Sequence, residues 1–153
     1  MPDVPPDVAI KATIRPGSVY YIKHEAITHS EDFHYFIVIN LDPINEDAII
    51  LVCSTTRKYK VAIRYPQTKF PPETLIKITP DEYSGFSYTS IIDCNQVYPD
   101  SINGLINRLA GGNLILKPEM DVALVERIRL GVLASPRTSE EVKELLRDKG
   151  LPA

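Results

Sequence analysis

Tryptophan is absent from this chain of 153 residues, which also has only two cysteines, two methionines and seven glycines. Each shortage removes a class of function. Cys53 and Cys94 lie far apart, each in an apolar run, so no Cys-x-x-C pair offers a metal or redox site. Buried free thiols in a reducing compartment are expected in place of a disulfide. The glycines form neither Gly-x-Gly-x-x-Gly nor a Walker loop, which disfavours a nucleotide-cofactor enzyme. No apolar run approaches the roughly 20 residues of a membrane helix. The start, Met1 to Asp7, is acidic and proline-rich, unlike a secretory or transit signal. A cytoplasmic protein with no membrane partner is expected.

Acidic residues are also missing from one long stretch. Between Ala48 and Pro72 there is no Asp or Glu, yet Arg57, Lys58, Lys60, Arg64 and Lys69 fall there, with Tyr59, Tyr65 and Phe70 among them. The net charge of −3 argues against an obligate duplex binder, but this uneven distribution permits a local basic site. Cations attract phosphate and aromatic faces stack on unpaired bases. The plainer reading is a solvated strand face with ordinary tyrosines.

What is present is an ordinary globular composition, 44% hydrophobic and 24% charged, and its length suits one domain with a real core. The prolines of residues 1–16 predict an extended arm. β-Branched and aromatic runs predict strands at Ser18–Lys23, His34–Asn40, Ala48–Ser54, Tyr59–Tyr65, Thr74–Ile78 and Ser90–Val97. Helical spacing follows. Ser101 caps Ile102, Leu105, Ile106 and Leu109, with Gly111 and Gly112 as the stop. Pro118 opens a helix to Ala134, and Thr138 with Glu141 makes a capping box for a last one. Short strands followed by helices predict a mainly β fold with C-terminal helices, a small open barrel at residues 17–134 between the arm and a helical extension at 135–153.

In order and spacing, four segments resemble the PemK/MazF-like family of toxin endoribonucleases. They are Gly17-Ser18-Val19-Tyr20-Tyr21-Ile22, His34 to Asn40, Leu51-Val52-Cys53-Ser54-Thr55-Thr56, and Ser90 to Val97 with its Asn95-Gln96-Val97 ending. The Pro118–Ala134 helix fits the family's closing helix. The resemblance covers roughly Gly17 to Ala134. It implies an SH3-like open barrel, a homodimer, and sequence-selective, metal-independent cleavage of single-stranded RNA without a cofactor. It further implies neutralisation by a small antitoxin protein. In such cleavage the RNA's own 2′-hydroxyl attacks the adjacent phosphate, so the protein moves protons and stabilises negative charge. The family's strand-end threonine falls on Thr55. Its arginine, from an Arg-Pro pair opening the second strand, falls on His34, with Tyr35 in place of the proline. Its glycine-rich loop is here Thr28-His29-Ser30-Glu31-Asp32, without glycine and with two acids.

These readings make His34 and Thr55 the candidate catalytic pair, and Arg57, Lys58, Lys60 and Arg64 the candidate RNA contacts. Histidine as a residue type exchanges protons near neutral pH but lacks arginine's bidentate grip on phosphate. The plainer readings are a surface histidine, a strand-end cap at Thr55 and a charged edge that discourages strand pairing. Asp93, Asn95 and Gln96 either read a base edge or bridge a dimer, or form buried polar pairs. The alternative function is a catalytically inactive barrel of the same family, kept as a protein- or nucleic-acid-binding module.

Overall fold

The computed structural model describes residues 4–27, 32–55 and 70–147. Arg57, Lys58, Lys60 and Arg64, the strand expected at Tyr59–Tyr65 and most of the Thr28–Asp32 loop lie outside the described residues. The elements in chain order are α1 (Pro6–Thr13), β1 (Val19–Ile22), β2 (His34–Val38), β3 (Ile49–Thr55), β4 (Leu75–Ile78), β5 (Ser90–Asp93) and β6 (Tyr98–Asp100). Then come α2 (Ile102–Ala110), β7 (Leu114–Lys117), α3 (Val122–Ala134) and α4 (Glu140–Leu146). The strands form one antiparallel sheet in the order β4-β5-β3-β2-β1-β7, with β6 paired to β3 off this path. The expectation of a mainly β chain with its helices gathered late is met, apart from α1.

β3 is the hub. One edge pairs with β2, while the other pairs first with β6 through Ile49–Leu51 and then with β5 through Ser54 and Thr55. Its run of four buried aliphatics, Ile49 to Val52, has no polar alternation because both faces are covered. On one face Val19, Ile37, Val52, Ile76 and Ile92 pack with Leu124, Val125, Ile128 and Val132 of α3. On the other, Tyr20, Ile22, Phe36 and Leu51 pack with Ile10 and Ile14 from the α1 segment and Leu105 of α2.

Three expected boundaries differ. The arm is not extended at its centre, because Pro6 occupies the first helical turn, where a missing N–H costs nothing, and Ile10 gains a buried site against α2. The helix expected from Pro118 begins at Val122. Met120 donates its N–H to Gly17 O at 2.9 Å, which holds 118–120 extended, and the Asp121 carboxylate caps Ala123. Gly17 itself has φ +93°, and a Cβ there would lie 2.8 Å from the Met120 oxygen. The last helix is capped by Ser139, while the Thr138 hydroxyl donates to Val132 O at 2.7 Å.

Two buried asparagines fix the connections. Asn40 has no exposed surface; its Nδ2 donates to Ala48 O at 2.8 Å and its Oδ1 accepts from Ile50 N. Asn95 donates to Thr74 Oγ1 at 2.9 Å and accepts from Ser135 Oγ at 2.7 Å, tying the β5–β6 link to the start of β4 and the end of α3. Asn95 therefore takes the buried-pairing role, while Gln96 is exposed.

Candidate functional site

His34 opens β2 and Thr55 closes β3. The register pairs Phe36 with Cys53 and Ile37 with Val52, and continued by two residues it sets His34 opposite Thr55. Directly opposed residues share a face of the sheet. The same row extends outward on both sides, since Ile22 pairs with His34, Thr55 with Ile91, and Ile91 with Lys77. His34 and Thr55 are half-buried and Lys77 is exposed. The exposed ammonium of Lys77 therefore belongs to the row of the two candidate residues. This cation was missed in the sequence because its place depends on β4 pairing with β5.

The His34 ring sits against its own backbone. Its Nδ1 lies 3.1 Å from the carbonyl oxygen of Asp32. A carbonyl only accepts, so a hydrogen bond there requires the tautomer with its hydrogen on Nδ1, which in the neutral ring leaves the lone pair on Nε2. That is the arrangement of a general base oriented by the backbone.

The opposite face of the same strand end carries rings. Phe33 stacks on Tyr21 at 5.3 Å between centroids, Tyr21 meets Tyr35 at 4.7 Å, Tyr35 meets Phe86 at 5.1 Å, and Phe86 meets Tyr83 at 4.8 Å. Phe33, Tyr21 and Tyr35 are half-buried, whereas Phe86 and Tyr83 belong to the core. The ladder thus runs from surface to interior, and its deep end is held by a hydrogen bond from Tyr83 to the Pro118 carbonyl. Burial pushes both tyrosine hydroxyls, Tyr35 and Tyr83, above their ordinary pKa. Lys117 Nζ stands 5.2 Å from the Tyr21 ring centre and 6.0 Å from that of Tyr35.

A second polar cluster lies after the end of β1. Arg108 grips Glu25 with two bonds of 2.7 and 2.8 Å, and its Nε donates to Asp100 at 2.8 Å. His24 is buried between the rings of Phe36 and Tyr98, with Arg108 Nη2 3.4 Å from its Nε2. Burial, then the Arg108 charge, lowers the His24 pKa, and the Arg108 hydrogen bonds hold the Glu25 carboxyl down at about 2. The cluster joins residues from the β1 end, β6 and α2. Sequence spacing does not reveal it, because its members are separated by up to 84 positions.

The cysteines are free, Cys94 buried and Cys53 half-buried, and burial pushes each thiol up to about 12. Such thiols are poor nucleophiles. Among the described residues no group of three or more His, Cys, Asp or Glu side chains is placed to hold a metal ion, and no helix is long and apolar enough to cross a membrane. The chain matches no model of a known protein family and none of the curated proteins.

Proposed function

We propose that this protein is a metal-independent, sequence-selective endoribonuclease acting on single-stranded RNA, a toxin of the PemK/MazF-like kind. The observation that carries the reading is the β2–β3 register, which, continued by two residues, sets an imidazole held against the backbone across from a hydroxyl at one rim of the sheet. In this reading His34 Nε2 takes the proton from the attacking 2′-hydroxyl, and the P–O5′ bond breaks as P–O2′ forms to give a 2′,3′-cyclic phosphate. The leaving 5′-oxygen takes a proton from solvent water, and Thr55 donates a hydrogen bond to the phosphate. Lys77 and the basic run of Arg57, Lys58, Lys60 and Arg64 draw the backbone in and offset its charge. The sheet is read as an SH3-like open barrel whose concave side is closed by α3. The partners are a small antitoxin and a second copy of the chain. Support for the second copy comes from β7, an end strand with Ile115 46% and Leu116 38% exposed, an apolar edge that pairing would cover.

A second reading has its own observation. The family's arginine is replaced by His34, while the ring ladder on the other face offers a binding surface that holds no reacting group. That combination favours a barrel that binds without cleaving. The deciding experiment is single-turnover cleavage of a long unstructured RNA, with chelator present and any antitoxin removed. Under the nuclease reading His34→Ala slows cleavage by roughly 10²–10⁴, the scale of losing a general acid or base. Equal rates for the two proteins remove His34 from the mechanism. Intact RNA with the wild-type chain, across several RNAs, leaves the binding module.

A further inference from the structure

The half-buried rings beside His34 form a row with a lysine at its side. We propose that Tyr21, Phe33 and Tyr35, with Lys117 above them, form a stacking platform for the unpaired bases of single-stranded RNA. The inference rests on the RNA reading above and names the surface that holds the bases. Three features of the rings carry it. The first is rigidity. Tyr35 is braced edge-on by Phe86, and Phe86 by Tyr83, so the outer rings are set before a ligand arrives and little motion is lost on binding. The second is charge. Lys117 stands over Tyr21 and Tyr35, and among the described residues it enters no ion pair, unlike Arg15, Arg108, Arg129 and Arg147. An ammonium beside aromatic faces suits a base with its phosphate. Lys23 adds to this, because its N–H bond to Asn113 continues the β1–β7 pairing and strand alternation puts Lys23 on the Tyr21 face. The third is position. Phe33, His34 and Tyr35 are consecutive, so the pleat sends the rings to one face and the imidazole to the other. A single strand crossing this rim meets the imidazole on one side and the rings on the other. A proline-rich peptide also favours aromatic grooves but brings no anion for Lys117.

The test is binding of an end-labelled 2′-deoxy oligonucleotide of mixed sequence to the full chain, followed by fluorescence anisotropy at low salt. This ligand lacks the attacking hydroxyl, so binding is read without cleavage. Tyr21→Leu and Tyr35→Leu keep apolar bulk but lose the π-face, and each is expected to weaken binding about tenfold or more. Tyr21→Phe and Tyr35→Phe are expected to bind as wild type, which separates stacking from loss of fold. Lys117→Gln is expected to weaken binding and to lower its salt dependence. Loss in the leucine variants with retention in the phenylalanine variants supports the platform even when the wild type cleaves no RNA; that result ends the nuclease reading alone. Unchanged binding by the leucine variants overturns the platform even when the wild type is an active nuclease. So does a wild-type chain that ignores the oligonucleotide, or whose Tyr21 and Tyr35 resonances shift only with a proline-rich peptide.

Discussion

Asn40 and His24 are both buried polar residues, and each sits where a strand ends. Asn40 bonds the backbone of the neighbouring strand, so its removal takes the partner from a half-buried carbonyl and from a buried N–H. Asn40→Ala is expected to cost about 1–3 kcal/mol in chemical denaturation, without altering the helical signal. His24 makes stability depend on pH. It faces Phe36 from β2, Tyr98 and Asp100 from β6, Arg108 from α2, and its neighbour Glu25. Its folded pKa lies below the ordinary 6.5, so the unfolded chain binds the proton more readily. The stability it contributes is intact above 6.5 and falls as the pH drops below that value. Glu25 acts lower down, its contribution intact above 4.5 and lost as the pH falls toward 2. With its side chain 73% exposed, Glu25 has part of its contribution screened by solvent. Urea midpoints measured across this range are expected to decline from about pH 6.5 downward, and His24→Gln is expected to flatten the upper part of that decline. At this scale the sequence exposes residue types but not partners. The pairing of His34 with Thr55 follows from hairpin logic alone, whereas the Arg108 cluster and Lys77 depend on contacts between distant segments.

Elements were legible where composition and packing agree. β3 is a run of buried aliphatics, β2 buries Phe36 to Val38 and β5 buries Ile91 and Ile92, and such apolar runs bounded by turn residues read as strands. α1 was hidden by its prolines, because a proline in the first turn of a helix looks the same in sequence as one that breaks it. β6 is three residues with Pro99 at its centre, and its pairing with β3 carries no local signal. α3 shows apolar residues all round, which predicts cover on two sides. The sheet and α4 supply that cover, leaving Val122 and Leu130 exposed. Its one glycine lies against the residues that flank β4 and β5. A Cβ on Gly131 would sit 2.8 Å from Cys94 Sγ and 2.9 Å from the Glu73 carbonyl. In an isolated helix Gly→Ala gains about 1 kcal/mol. Here Gly131→Ala is expected to destabilise by about 1–3 kcal/mol through overpacking, seen as a lowered thermal midpoint. A raised midpoint would mean that α3 shifts freely on the sheet.

For the whole molecule, composition predicts one globular body, and the segments outside Gly17–Ala134 join it, Ile10 in one core and Val142 and Leu146 in the other. Whether two such bodies pair is a question of mass. Sedimentation of the 17.2 kDa chain at high concentration is expected to give a particle of twice that mass, and Ile115→Lys on the β7 edge to halve it. A monomer at every concentration removes the dimer from the proposal. The sheet order also bears on how the protein is made. β1 receives its second neighbour only when β7 arrives, Val19 beside Lys117, and β3 meets β6 only when Ile49 finds Asp100. α1 likewise meets α2, with which it shares a core, only when Leu105 follows. A nascent chain that has not yet reached α2 and β7 therefore has a bare β1 edge and an α1 face that α2 does not yet cover. The sheet closes only when β7 follows, and a chain caught before that point is the form most in need of a chaperone.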